Sequence, residues 1–330
     1  MKVNRELSVI RELVYTVKYI LGRDLAGRNL TVFPDDTFIV SYPRSGNTWT
    51  RFLIANLVHP EEPVTFANIE RLIPDLYAHP KRFLNSIPRP RVIKSHEYFD
   101  ARYPRTVYIV RDPRDVVISS YHFYRKQKNI PEGYSLERYA SDFVSGAVFQ
   151  NYASWGENVA SWLATWQHRS RIVGCGPDTG SAFGSWGENV GSWVVKCHGR
   201  KTFLLLRYED MLEQPERELA KVAAFLGIET TPENLAAAVE RSSFDRMRQI
   251  EKEQSKLWFL TKNSRQDIPF VRSSSSGQWK SGLPEACVAA IESTWGPLIT
   301  ALGYELTTGS LRSASALTPI FTHPGQGERE

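Results

Sequence analysis

Three short stretches combine residue types that handle anions and protons. In the first, Tyr42-Pro43-Arg44-Ser45-Gly46-Asn47-Thr48-Trp49 follows the apolar run beginning at Phe38 and opens a helical stretch reaching Val58. A helix start presents unpaired backbone N–H groups, and the helix dipole adds to their pull on an anion. Arg44 contributes a permanent charge on a planar donor fork, and Ser45, Asn47 and Thr48 bring further donors. The turn therefore reads as an anion cradle. It is not the loop that grips nucleoside triphosphates, because Gly-x-x-x-x-Gly-Lys-Ser/Thr is absent and no metal-coordinating partner is evident.

The second stretch, Arg91-Val92-Ile93-Lys94-Ser95-His96, reads as a short strand in which Lys94 and His96 share a face, since side chains alternate along an extended chain. A histidine with an ordinary pKa of about 6.5 accepts a proton and releases it again at neutral pH, as a general base must. The third, Arg111-Asp112-Pro113-Arg114-Asp115-Val116-Val117-Ile118-Ser119, sets Arg111 at the end of the apolar run Thr106 to Val110 and Ser119 in the helix that follows.

Positioning these groups takes strands that end in loops and lead into helices. Apolar runs at 38–42, 91–94, 106–110 and 202–206 predict strands, and 49–58, 115–126 and 215–226 predict helices after them. That alternation predicts an α/β fold with a central, mostly parallel sheet and helices on both faces. Ligands of such sheets lie outside the carboxyl ends of the strands, where the three stretches fall.

The 330 residues suit one domain with insertions. A helical extension is expected over 1–35, with apolar positions at helical spacing from Leu7 to Leu21, and a flexible tail over 305–330. Within 152–193 the segment Ser154-Trp155-Gly156-Glu157-Asn158-Val159 recurs as Ser185-Trp186-Gly187-Glu188-Asn189-Val190, 31 residues on. Two copies make no solenoid, which needs at least three, so this is a local tandem duplication. Either copy could be the native-like one.

A net charge of +5 is too mild to argue for nucleic acid and comfortable for an anionic co-substrate. The amino terminus lacks the apolar core of a signal peptide, and no stretch is long and apolar enough to span a membrane. Cys175, Cys197 and Cys287 form no Cys-x-x-Cys pair, which suits structural thiols in a reducing, cytoplasmic setting and gives no metal site.

In this order the motifs resemble those of the sulfotransferases of cytosolic type that use 3'-phosphoadenosine 5'-phosphosulfate (PAPS). The octet 42–49 is similar to that family's 5'-phosphosulfate loop, usually Tyr-Pro-Lys-Ser-Gly-Thr-Thr-Trp, and Arg111 with Ser119 resembles its 3'-phosphate segment. Lys94-Ser95-His96 looks like its Lys-Thr-His catalytic segment. Tyr208 in Tyr-Glu-Asp-Met, Ser242 with Phe244, and Arg272-Ser273-Ser274 before Gly277-Gln278-Trp279-Lys280 extend the likeness from about Phe38 to Lys280.

The resemblance implies a three-layer, P-loop-like fold, PAPS as donor, adenosine 3',5'-bisphosphate (PAP) as product, and no metal. By that likeness the donor is held by Arg44, Ser45, Gly46, Asn47, Thr48, Trp49, Arg111, Ser119, Tyr208, Ser242, Phe244, Arg272, Ser273 and Ser274, with Trp49 and Phe244 on either side of the adenine. His96 is then the base for in-line displacement at sulfur, and Lys94 and Arg44 counter the charge on the transferring group and leaving phosphate. The acceptor is a small-molecule or lipid hydroxyl or amine, and Phe99, Tyr103, Tyr124 and Trp258 are candidates to line its pocket.

Two departures stand out. Arg44 replaces the usual Lys, and Arg272-Ser273-Ser274 replaces Arg-Lys-Gly, removing one cation and one flexible backbone position. The family's Lys-x-x-x-Thr-Val-x-x-x-Glu dimer signature does not follow Trp279, which leaves the oligomeric state open. Two other readings remain: a P-loop phosphoryl-transfer enzyme, and a nucleotide-binding protein of the same fold with impaired catalysis.

Overall fold

The computed structural model describes residues 26–146, 148, 185–272 and 275–308. The helix expected over 7–21, the Trp155 copy of the duplication, Cys175, Ser273, Ser274 and the chain from 309 onward lie outside the described residues.

Four strands, β1 (Thr37–Ser41), β2 (Val92–Ser95), β3 (Arg105–Val110) and β4 (Phe203–Arg207), form one parallel sheet in the order β2-β1-β3-β4. Register pairs Ile39 with Lys94 and with Val107, and Ile109 with Leu206. Their apolar runs are nearly unbroken because both faces are covered. Phe38, Val40, Tyr108 and Val110 enter one core, whereas Ile39, Val107, Ile109 and Leu206 enter the other.

The helices that matter to the site are α1 (Asn47–Val58), α2 (Pro113–Lys126), α3 (Leu136–Val144), α4 (Trp186–Cys197), α5 (Tyr208–Glu213), α6 (Pro215–Leu226), α7 (Pro232–Arg241), α8 (Phe244–Gln254) and α9 (Glu285–Ala301). Three begin directly after strands: α1 after β1, α2 after β3 and α5 after β4. The start of α2 is written locally, since Asp112 accepts the Arg114 N–H at 2.9 Å and Pro113, which has no N–H to satisfy, takes the first helical position. The carboxyl ends of β1, β2, β3 and β4 thus bring residues 42–46, 96, 111 and 208 to one edge of the sheet. Of the expected tail, Thr307 and Thr308 donate to Glu292 of α9 and are tied to the fold.

Candidate active site

The turn after β1 reverses through two left-handed residues, Arg44 at φ 70° and Gly46 at φ 98°. Gly46 is required twice over, by its dihedral angle and by space: a Cβ there would lie 2.4 Å from Cδ2 of Tyr208, the first residue of α5. Ser45 Oγ is buried and has no hydrogen-bond partner among the described residues. Thr48 is half-buried on the first turn of α1. Asn47 departs from its expected part as an anion donor. Its amide points back beneath the sheet and donates to Ile39 O at 3.2 Å and Ser41 Oγ at 3.2 Å, fastening the helix to the strand it follows.

Beside this turn three guanidinium groups gather. Arg44 Nε donates to Ser119 Oγ at 3.4 Å, and Arg111 Nη1 donates to the Arg44 carbonyl at 3.3 Å. The Arg44 guanidinium lies 4.6 Å from the Phe123 ring centroid and 4.8 Å from that of Phe270, and Arg111 lies 4.3 Å from that of Tyr208. Burial, then the charges of Arg111 and Arg272, bring the Arg44 pKa down to about 10, and burial with Arg111 also lowers that of Arg272. Among the described residues no carboxylate forms an ion pair with any of the three. The nearby acids are otherwise engaged. Asp112 pairs with Arg114 at 2.7 Å, and Asp115 accepts the N–H groups of Gly277 at 2.6 Å and Trp279 at 3.0 Å, tying that segment to the helix that carries Ser119. Like charges held together with no ion pair among the described residues, and with only the already engaged Asp115 acting on Arg111 from nearby, create demand for an anion.

At the carboxyl end of β2, His96 Nδ1 lies 2.7 Å from the Ser41 carbonyl oxygen. A carbonyl only accepts, so Nδ1 carries the proton and Nε2 is the basic nitrogen. Burial, followed by the Lys94 charge, holds the imidazole well below 6.5, which keeps it neutral at physiological pH. Lys94, expected to face the reaction as a cation, has its ammonium 2.6 Å from Asp75 Oδ2.

The aromatic pair differs from expectation. Trp49 and Phe244 are in contact, with centroids 5.2 Å apart and planes at 41°. Two stacking distances amount to about 7 Å, so a base between them requires the rings to part. Trp49 Nε1 donates to the Ser242 carbonyl at 3.0 Å, while Ser242 Oγ accepts from Asn56 at 2.9 Å; Ser242 therefore secures the junction of α7 and α8 to α1. Two of the aromatic candidates for the acceptor pocket are packed: Tyr103 stacks on Phe38 at 3.6 Å, and Trp258 sits between Phe66 and Phe270.

Of the duplicated segments, the second lies among the described residues and neighbours the site. Ser185 and Glu188 cap each other's backbone at the start of α4. From α4, Asn189 donates to the His96 carbonyl at 3.3 Å and Trp193 Nε1 to the Glu97 carbonyl at 2.9 Å. Gly187 sits under Trp295, where a Cβ would lie 2.4 Å from Cδ1.

Glu209 escaped the sequence reading although it lies inside the Tyr-Glu-Asp-Met motif. It accepts the Asp112 N–H at 3.1 Å and the Tyr304 hydroxyl at 2.8 Å, and burial pushes its carboxyl up to about 7. Asp75 and Asp115 also went unread, because an acid that binds a lysine or an amide far along the chain leaves no local pattern. Among the described residues, no group of three or more His, Cys, Asp or Glu is placed to hold a metal, and no helix is long and apolar enough to cross a membrane.

The sulfotransferase-domain family model matches residues 34–173 and 178–303, and the chain belongs to that family. Sulfotransferase 1 family member D1 of Mus musculus is 29% identical over 263 residues, covering 75% of this chain and 77% of that protein. Sulfotransferase 1A1 of Mus musculus is 25% identical over 305 residues, covering 86% and 91%. Among solved structures, mouse sulfotransferase SULT7A1 complexed with PAP superposes with a TM-score of 0.58 at 21% identity, over 82% of this chain and 87% of that one. Retinol dehydratase in complex with androsterone and inactive cofactor PAP gives 0.60 at 18%, over 87% and 86%. The shared α/β fold follows from these superpositions. At the level of the family, the activity is sulfuryl transfer from PAPS.

Proposed function

We propose that this chain, as a single sulfotransferase domain, moves the sulfuryl group of PAPS onto a hydroxyl or amine of a small-molecule or lipid acceptor. The observation that carries this reading is the gathering of three guanidinium groups: Arg44, which touches Ser119, with Arg111 and Arg272 beside it and, among the described residues, no carboxylate in an ion pair with any of them. Two features of the site fit a phosphate-bearing donor. Ser45 Oγ and Arg111 Nε are buried atoms with no partner among the described residues, and Gly46 lets the turn close against the Tyr208 ring so that the start of α1 faces the three guanidinium groups.

The 42–49 turn would hold the sulfate-bearing end, and Arg111, Ser119 and Arg272 the 3'-phosphate, with Tyr208, Trp49 and Phe244 supplying the nucleoside contacts. Ser273 and Ser274 belong to the same proposal. PAPS supplies the sulfuryl group and, as leaving group, the 5'-phosphate. His96 Nε2 takes the acceptor proton as the acceptor atom bonds to sulfur. Arg44 and Lys94 stabilise the negative charge that collects on the departing phosphate as its bond to sulfur breaks. No metal takes part in this scheme.

The acceptor side draws support from relatives. One, of Cavia porcellus, is named 3-beta-hydroxysteroid sulfotransferase, and retinol dehydratase is crystallised with androsterone. An apolar alcohol is therefore the first acceptor to try. Cytoplasmic residence is part of the same reading, supported by the free, buried thiols of Cys197 and Cys287. Calorimetry with PAP should show one site, lost in Arg111→Met, and labelled PAPS should yield a sulfated product with an alcohol panel. Absence of binding to PAPS and PAP sinks the reading; binding without turnover across the panel leaves only a nucleotide-binding protein.

A further inference from the structure

Lys94 is clasped by a segment that no motif marked. Its N–H donates to the Pro74 carbonyl at 2.8 Å, and its carbonyl accepts from Leu76 N–H at 3.0 Å. Between those two residues stands Asp75, whose Oδ2 is 2.6 Å from Nζ; Asp75 is 3% exposed and Lys94 7%. The carboxylate is fixed from its other side as well. Asp75 Oδ1 accepts the Tyr77 N–H at 2.9 Å, and the Asp75 N–H donates to Glu70 Oε2 at 2.9 Å. The Tyr77 ring completes the arrangement, with Nζ 5.7 Å from its centroid and the His96 ring 6.5 Å away at 9° from parallel.

A lysine buried this deeply gives up its proton unless a partner compensates. The charged and titratable groups that face it are Arg51 of α1, Glu70, Asp75, Tyr77 and, at the end of its own strand, His96. Arg51 and Glu70 pair with each other at 2.9 Å and largely cancel. Asp75 is left as the countercharge. Even with Asp75 in place, burial holds the Lys94 amine below its ordinary range.

We propose that Asp75 is a positioning residue for the transfer step: it keeps Lys94 protonated and fixes the ammonium beside the Tyr77 and His96 rings. This rests on the reading of Lys94 as a cation that acts in transfer.

The test compares the native protein with Asp75→Asn, Asp75→Glu, Lys94→Arg and the double variant Asp75→Asn/Lys94→Arg. Lys94 protonation is read from its ¹³Cε chemical shift, assigned by the signal lost in Lys94→Arg, and kcat/KM is measured across pH with PAPS and an acceptor alcohol. Lys94 loses its proton at a lower pH in Asp75→Asn than in the native protein. Relative to native, the descending limb of kcat/KM in Asp75→Asn then lies at lower pH, with its midpoint where the ¹³Cε shift reports loss of the Lys94 proton and a fall of about tenfold per pH unit above it. Asp75→Glu lessens that displacement and the double variant abolishes the limb, because a guanidinium keeps its proton.

If Lys94 loses its proton at the same pH in Asp75→Asn as in the native protein, the proposal is overturned. If Lys94 deprotonates at lower pH and the limb does not move with it, the positioning role is overturned because Lys94 itself is not used, and the assignment of His96 is untouched. Should Asp75→Asn fold poorly, Asp75→Ser is read in the same way.

Discussion

The Ser41 carbonyl, at the last residue of β1, accepts a 2.7 Å hydrogen bond from Nδ1 of His96, which follows β2. Two neighbouring parallel strands thereby set the tautomer of one imidazole, and the direction of the sheet decides which nitrogen is basic. The coupling is structural and chemical at once, because the pairing of Val40 with Ser95 fixes where both groups stand.

Replacing His96 with Ala should lower kcat by about 10² to 10⁴, the usual worth of a general base, with the PAP Kd unchanged within a few-fold. The sign of the pH dependence follows from the depressed imidazole. Its neutral form persists until pH falls through the lowered folded pKa, so the acidic limb of kcat/KM belongs below 6.5 and the profile is level from there toward pH 8. Near-native turnover in the Ala variant, or an acidic limb above 6.5, contradicts the assignment.

Arg44 touches Ser119 through Nε while its guanidinium plane lies against the rings of Phe123 and Phe270, a combination that the point charge of a lysine does not reproduce. Arg44→Lys should weaken PAP binding by about tenfold and Arg44→Met by about a hundredfold or more, measured by calorimetry. Equal affinities for the two variants would show that this guanidinium faces away from the anion.

Gly46→Ala puts a methyl group 2.4 Å from Cδ2 of Tyr208 at a residue with φ 98°. Strain and overlap together should cost about 2 to 3 kcal/mol in urea unfolding. Donor affinity should fall with it, since Tyr208 also carries Arg111 on its ring face.

Glu209 carries a pH signature of its own. Its carboxyl is raised from 4.5 to about 7 by burial, so folding takes up a proton and stability falls as pH rises from 4.5 to 7, levelling beyond. Glu209→Gln should remove that slope and be the more stable protein at pH 8, by no more than about 3 kcal/mol. Parallel denaturation curves for the two proteins at pH 5 and pH 8 would contradict this.

Much of the site is local in the chain and could be read there. A strand, a Gly-containing turn and a helix start are consecutive at 37–58, and strand alternation placed Lys94 and His96 together. What escaped was pairing over distance. Asp75 sits in a stretch without periodicity, and Asn47 looked like an outward donor because nothing in its neighbours reveals that Ile39 and Ser41 offer acceptors beneath it. Trp49 and Phe244 were recognised by type, yet their mutual contact depends on how α8 packs against α1. Two near-identical strings likewise offer no basis for choosing between the duplicated segments; the second lies among the described residues, with Trp186 and Trp193 buried.

The reciprocal cap of Ser185 and Glu188 has a further consequence for α4. Because α4 takes its start signal from its own first residues, the register of Asn189 and Trp193 beside the His96 main chain is written from Ser185 onward. Four residues, Ser185 to Glu188, thus write the start of the helix that holds the main chain next to His96.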